Sequence, residues 1–138
     1  MTLKELSQLY WLNREIELDK ERLAELESKL ELIRSASSFS DVPLHGGVNV
    51  NKIERYVEEV VDLQAIISSK QQQCIHERNR LERWIADISD SLLRQIFTLR
   101  FINGLSWPQV AAHIGGGNTE AGVKMACYRY LDRINSKK

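Results

Sequence analysis

The chain has 138 residues, with 19 lysines and arginines against 19 aspartates and glutamates, and therefore no formal net charge. That length suits one compact domain or two small helical units and is too short for a large enzyme, while the balanced charge excludes a uniformly basic nucleic-acid coat or an acidic tail. The charge is nevertheless divided, since residues 1–88 carry 12 basic and 16 acidic side chains (net −4) and residues 89–138 carry 7 and 3 (net +4). Two prolines and seven glycines, five of these in Gly46-Gly47 and Gly115-Gly116-Gly117, leave most of the chain nothing to stop it being helical, so the expected fold is all-α.

Thr2 and Glu5 have the spacing of a capping box, which satisfies two orphan amides at a helix start. From there apolar residues recur at alternating steps of three and four: Leu9, Leu12, Ile16, Leu23, Leu26, Leu30 and Ile33, with Asp19 as the exception. A mean spacing of 3.5 keeps one stripe facing a partner helix and marks a coiled-coil seam. The helix is expected to reach about Arg34. Ser35 to Gly47 is rich in serine and glycine and contains Pro43, so the chain is expected to turn there.

The seam resumes with Ile53, Tyr56, Val60, Leu63, Ile67, Cys74, Leu81, Trp84 and Ile88, interrupted by Lys70 and Glu77. Polar seam residues usually fix register rather than do chemistry. Two such helices are expected to form a long antiparallel hairpin, about 50 Å at 1.5 Å per residue. Leu6, Tyr10, Leu18, Leu32, Val57, Val61, Ile66, Ile75 and Ile85 lie off the seam and widen the apolar stripe. Residues 1–88 are therefore expected to serve oligomerisation or partner binding, as a homodimer or higher oligomer. A four-helix bundle of two hairpins would cover that wider stripe, and the C-terminal residues are the other candidate to cover part of it.

Cys74 and Cys127 are too few for a disulfide framework, and no leader or long apolar run is present, so the expected location is the cytoplasm, with no membrane contact. Cys74 and His76 diverge by about 200° on a helix and cannot share a metal. No metal site, cofactor motif or acid–base pair is visible. Gly115-Gly116-Gly117 lacks the strand and the Lys-Ser/Thr of a phosphate loop, and Ser106 is better placed as a helix cap than as a nucleophile. The chain is expected not to be an enzyme.

Residues 89–138 carry the informative pattern. Ser89-Asp90-Ser91 is a helix-start cluster, followed by Leu92, Leu93, Ile96, Phe97, Leu99 and Arg100 at helical spacing and by Asn103-Gly104 as a stop. Ser106-Trp107-Pro108-Gln109 supplies a second capping box with proline in the first turn, opening a short helix to Ile114. After the glycines, Thr119 is placed to cap a last helix reaching about Ser136. Val110, Ala111, Ile114, Val123, Cys127, Tyr130 and Ile134 are the expected inward positions. A short helix, a glycine turn and a longer helix with a basic end are the outline of a helix-turn-helix.

The stretch from Leu99 to Ala111 (Leu-Arg-Phe-Ile-Asn-Gly-Leu-Ser-Trp-Pro-Gln-Val-Ala), with Ile114-Gly115, Val123-Lys124 and Tyr128-Arg129-Tyr130-Leu131, resembles the region-4 helix-turn-helix of sigma-70-type factors. More closely, it resembles the small region-4-like regulators encoded by phages and prophages of Gram-positive bacteria. The resemblance covers about the last fifty residues. It implies a sequence-specific, double-stranded-DNA-binding regulator of phage or prophage transcription, with RNA polymerase as a further possible partner. It also implies that the start of the last helix reads the major groove through Thr119, Glu120, Ala121, Lys124 and Met125, with Tyr128 and Arg129 one turn on.

Helical projection gives a matching face independently. With Val123, Cys127, Tyr130 and Ile134 inward, the opposite side shows Ala121, Met125, Tyr128, Arg129 and Asp132, with Lys124 at its margin. Lys124 and Arg129 suit phosphate or guanine edges, Glu120 a cytosine amine, and Ala121 or Met125 a thymine methyl. Arg133, Lys137 and Lys138 suit the phosphate backbone. Gly122 lies inside this helix, where glycine costs about 1 kcal/mol relative to alanine. Two other readings compete with a regulator: a small terminase-like DNA-packaging subunit, and a module that binds RNA polymerase or another host protein.

Overall fold

The computed structural model describes residues 1–39 and 46–136, with backbone alone at 37–39 and 46–49. Among these residues every regular element is helical: α1 (Leu3–Leu6), α2 (Gln8–Phe39), α3 (Gly46–Ala86), α4 (Ser91–Phe97) running into a π-helical turn (Thr98–Ile102), α5 (Trp107–Ile114) and α6 (Glu120–Ser136). The all-α expectation is met. Two expected limits move. Ser35 to Phe39 continue α2 and Gly46-Gly47 open α3, since serine and alanine do not stop a helix that is already propagating. The remainder of the expected turn, from Ser40 to His45, lies outside the described residues.

Compact packing divides the chain into Met1–Asn13 with Cys74–Lys138, and Arg14–Gln73. These divisions fall within α2 and α3 rather than at the expected boundary between Ile88 and Ser89. The physical reason lies in the core of the first unit. Leu6, Leu9, Leu81, Ile85 and Ile88 are buried together with Leu93, Ile96, Phe97, Val110, Val123 and Cys127, so both ends of the expected hairpin share a core with the C-terminal helices.

In the Arg14–Gln73 unit α2 and α3 run antiparallel. Ile16, Leu26 and Leu30 of α2 and Val60, Leu63 and Ile67 of α3 are buried, while Leu23, Ile33, Ile53 and Tyr56 are half-buried. Two of the polar exceptions in the seam answer each other: Lys70 Nζ donates to Asp19 Oδ2 at 2.5 Å. The hydrogen bond to Asp19 holds the Lys70 ammonium above its ordinary value of 10.5, so the contribution of the pair is complete at neutral pH and is lost only as pH rises through that raised value. A slip of one helix along the other would leave both groups half-buried without partners, which makes the pair a register lock. Of the off-seam apolar residues here, Leu18, Leu32, Val61 and Ile66 are exposed.

The other unit begins with the expected capping box. The Thr2 amide donates to Glu5 Oε2 at 2.8 Å and the Glu5 amide to the Thr2 hydroxyl at 3.2 Å. Cys74 Sγ donates to Asn13 Oδ1 at 3.3 Å, and Arg80 lies 4.0 Å from Glu5, which sets the start of α2 beside the end of α3. Asp90 caps α4 by accepting from the amides of Leu92 and Leu93. Arg94 donates to the carbonyls of Ile88 and Ser89 at 2.6 and 3.1 Å, which ties α4 to the residues that follow α3. The Asn135 amide donates to the Met1 carbonyl at 3.1 Å, joining the end of α6 to the N-terminus.

Candidate nucleic-acid interface

The last turn before the helix-turn-helix is wider than an α-helix. Asn103 donates its amide to Thr98, five residues back, and Leu105 to Leu99, while Gly104 takes a φ of +72° that only glycine adopts without strain. Arg100 leaves this turn to stack on the Trp107 ring, 4.8 Å from its centroid, and donates to the Leu105 carbonyl at 2.9 Å. It thus holds the start of α5 in place.

At that start the Ser106 amide donates to Gln109 Oε1 at 2.9 Å and the Gln109 amide to the Ser106 hydroxyl at 3.4 Å, with Pro108 in the first turn. The expected box is therefore formed. Ser106→Ala removes one acceptor for the orphan amides, and we expect it to lower unfolding stability by about 1 kcal/mol with little change in helical content. Chemical denaturation checks this, and unchanged stability would show that water replaces the cap.

α5 closes at Gly115, and Gly115, Gly116 and Gly117 all have positive φ (68°, 64° and 80°), so three successive residues use backbone that a side chain would strain. Asn118 ties the turn down by donating its side-chain amide to the Gly115 carbonyl at 2.8 Å. Thr119 then caps α6, its hydroxyl accepting from the Gly122 amide at 3.0 Å. A Cβ at position 122 would lie 3.0 Å from that hydroxyl, which explains a glycine inside a helix: it leaves room for the cap.

α6 packs on α4 and α5 through Val123, Cys127 and Leu131, all buried. The inward stripe is therefore Val123–Cys127–Leu131 at four-residue steps, with Tyr130 and Ile134 half-buried at its edge rather than at its centre. Burial pushes the Cys127 thiol up to about 12, which removes it from thiolate chemistry at neutral pH.

On the outer side Thr119, Glu120, Ala121, Lys124, Met125, Arg129, Asp132 and Arg133 are exposed, as the projection requires. Tyr128 departs from it. It is half-buried because α5 crosses there, and its ring meets Trp107 edge-on at 6.2 Å. The Lys124 ammonium lies 5.9 Å from the centroid of the same ring. Arg133 stacks on Tyr130 at 5.3 Å, so its charge is held near the end of α6. Among the described residues no carboxylate lies within 4.0 Å of Lys124, Arg129 or Arg133. Lys137 and Lys138, also expected to touch phosphate, lie outside the described residues.

Sequence reasoning missed a concave surface in this unit. A largely apolar groove of about 530 Å³ is lined by Ile85, Arg94, Thr98, Leu99, Ile102 and His113 among others. Its floor depends on the π-helical turn, which no periodicity announces. Among the described residues no three His, Cys, Asp or Glu side chains lie together as a metal site would need, and no helix is long and apolar enough to cross a membrane. No protein-family model matches the chain, and comparison with curated proteins and with solved structures gave no significant match.

Proposed function

We propose that the chain is a sequence-specific DNA-binding regulator of phage or prophage transcription, acting as an oligomer through residues 1–88 and without catalytic activity. The observation that carries this reading is the outer face of α6. A helix packed as the second member of a helix-turn-helix presents Lys124 and Arg129 exposed, unpaired with carboxylate among the described residues and flanked by Ala121 and Met125. Guanidinium and ammonium groups exposed this way neutralise phosphate or reach guanine edges, and apolar side chains beside them pack on thymine methyls. Glu120, in the first turn, is an acceptor for a cytosine amine. The Thr119 hydroxyl is already engaged by Gly122, so its part is to set the helix start.

A protein-interaction module is the second reading, favoured by the apolar groove beside Leu99 and Ile102. Purified chain exposed to a pool of duplex fragments from its own genomic neighbourhood, at two salt concentrations, separates the two. Enrichment of one fragment with a steep loss at higher salt supports the regulator, because phosphate contacts release counterions. No retention at low salt moves the function to a protein partner.

A further inference from the structure

Among the described residues of the unit that carries α6, the most exposed large apolar side chain is Trp11, at 63%, and Tyr10 beside it is 45% exposed. Their rings meet edge-on at 5.1 Å. With Ser7, Arg100, Ser106 and Gln109 they line a recess of about 440 Å³ at the start of α5. The polar groups here are chiefly donors. An indole N–H and a guanidinium cannot accept a hydrogen bond. Neither the Trp11 indole nor the Tyr10 hydroxyl has a hydrogen-bond partner among the described residues. Arg100 spends one nitrogen on the Leu105 carbonyl, and Gln109 spends its side-chain oxygen on the Ser106 amide, which leaves the other guanidinium N–H groups and the Gln109 amide N–H groups without those partners. No carboxylate lines the recess among the described residues. Donors gathered around one cation, with no acid between them, fit an anion rich in acceptor oxygens.

We propose that this recess seats a phosphate and its sugar from the DNA backbone, so that Tyr10 and Trp11 of α2 extend the duplex-binding surface beyond the helix-turn-helix. This deepens the DNA reading above and rests on it. Continuity with the α6 face is what selects DNA as the source of the anion. Arg100 lies 4.8 Å from the Trp107 ring, that ring meets Tyr128 at 6.2 Å, and the Lys124 ammonium lies 5.9 Å from the Tyr128 ring. Three successive contacts therefore join the recess to Lys124, and both lie well within one turn of duplex, about 34 Å. Serine, glutamine and tyrosine side chains commonly donate to phosphate oxygens, and such contacts position a protein without reading sequence. The recess is larger than a phosphate needs. Tyrosine and tryptophan combine a polar tip with an apolar body, so the same two rings that donate also offer surface to the C–H groups of the deoxyribose.

Equilibrium binding of the full chain, wild type and the double variant Tyr10→Phe/Trp11→Phe, to the enriched fragment and to a scrambled duplex over a salt series tests this contact. Circular dichroism and sedimentation equilibrium accompany it. The variant keeps an aromatic ring at both exposed positions and loses the hydroxyl and the indole N–H, so it is expected to fold and to associate as wild type does. Loss of two donors to a charged oxygen should weaken binding roughly ten- to a hundredfold, equally on both duplexes. Neutral donors displace no counterions, so the salt slope should hold, unlike the change expected for a charged residue on phosphate. Equal affinity of variant and wild type, or a loss confined to the enriched fragment, would overturn the proposal and leave the reading of α6 intact. A variant with an altered oligomeric state would place a second copy of the chain on the recess and overturn it likewise. A wild type that retains no duplex at low salt would sink the DNA reading itself, and this contact with it.

Discussion

Replacing Lys124 or Arg129 by alanine is expected to weaken DNA binding by about 1–3 kcal/mol for each residue that reaches a base edge, a factor of roughly 5 to 150 in affinity. Neither side chain belongs to the core, so helical content and unfolding midpoint should hardly move. The two changes need not act alike. Lys124 lies over the Tyr128 ring, which narrows the directions its ammonium can take, whereas Arg129 has no aromatic neighbour within such reach among the described residues. A residue on phosphate lowers affinity for all sequences and reduces the salt slope by about one, while a residue on guanine relaxes preference at one position. Equilibrium binding to the enriched fragment and to a scrambled duplex, over a salt series, distinguishes these. Unchanged affinity in both variants would show that α6 is not the reading face.

Phe97→Ala should have the largest effect on stability. The side chain has no exposed surface and sits at the meeting of four elements, with ring centroids 5.2 Å from Trp84, 5.6 Å from Phe101 and 5.7 Å from Tyr130. Emptying it removes the transfer energy of a large aromatic side chain, its edge-on contacts with Trp84 and Tyr130 and its tilted contact with Phe101, and leaves a cavity among packed rings. A cost of about 3–5 kcal/mol is expected, a large part of the total stability of a small domain. The loss belongs to the unit that contains α4, α5 and α6. Phe97 belongs to the core of that unit and not to the Arg14–Gln73 seam, so a residual helical signal should persist after tryptophan fluorescence has reported unfolding. Coincident loss of both signals would show that the two units unfold as one.

The seam is the part of the fold that was most legible, because a 3.5-residue period is a local property that needs no knowledge of what lies elsewhere. Every seam position from Leu9 to Ile33 and from Ile53 to Ile88 is buried or half-buried, Asp19, Lys70 and Glu77 included. Capping boxes were equally legible at Thr2 and Ser106, since their hydrogen bonds close within three residues. What covers an off-seam residue was not. Leu6 and Ile85 read the same as Leu18 and Val61 in sequence, yet the first two are buried beside the C-terminal helices and the second two are exposed. Tyr128 was misplaced for a similar reason. Projection gives a direction around α6, and the crossing of α5 over that direction is a tertiary fact. The face proposed to read DNA was recovered as a set of exposed positions, while the groove at Ile102 needed a one-residue widening that periodicity does not encode.

The unit that carries α6 is assembled from two separated stretches of chain, and about 60 residues intervene between Asn13 and Cys74. Closing a flexible loop of that length costs on the order of 3–4 kcal/mol in entropy before any contact in this unit repays it. The antiparallel seam removes most of that cost by growing from neighbouring turns, each step closing a shorter loop than the last. The seam is therefore expected to form first, bringing Asn13 and Cys74 together before the C-terminal helices condense on the apolar surface; pulse-labelled hydrogen exchange showing α4 to α6 protected before the seam would overturn this order.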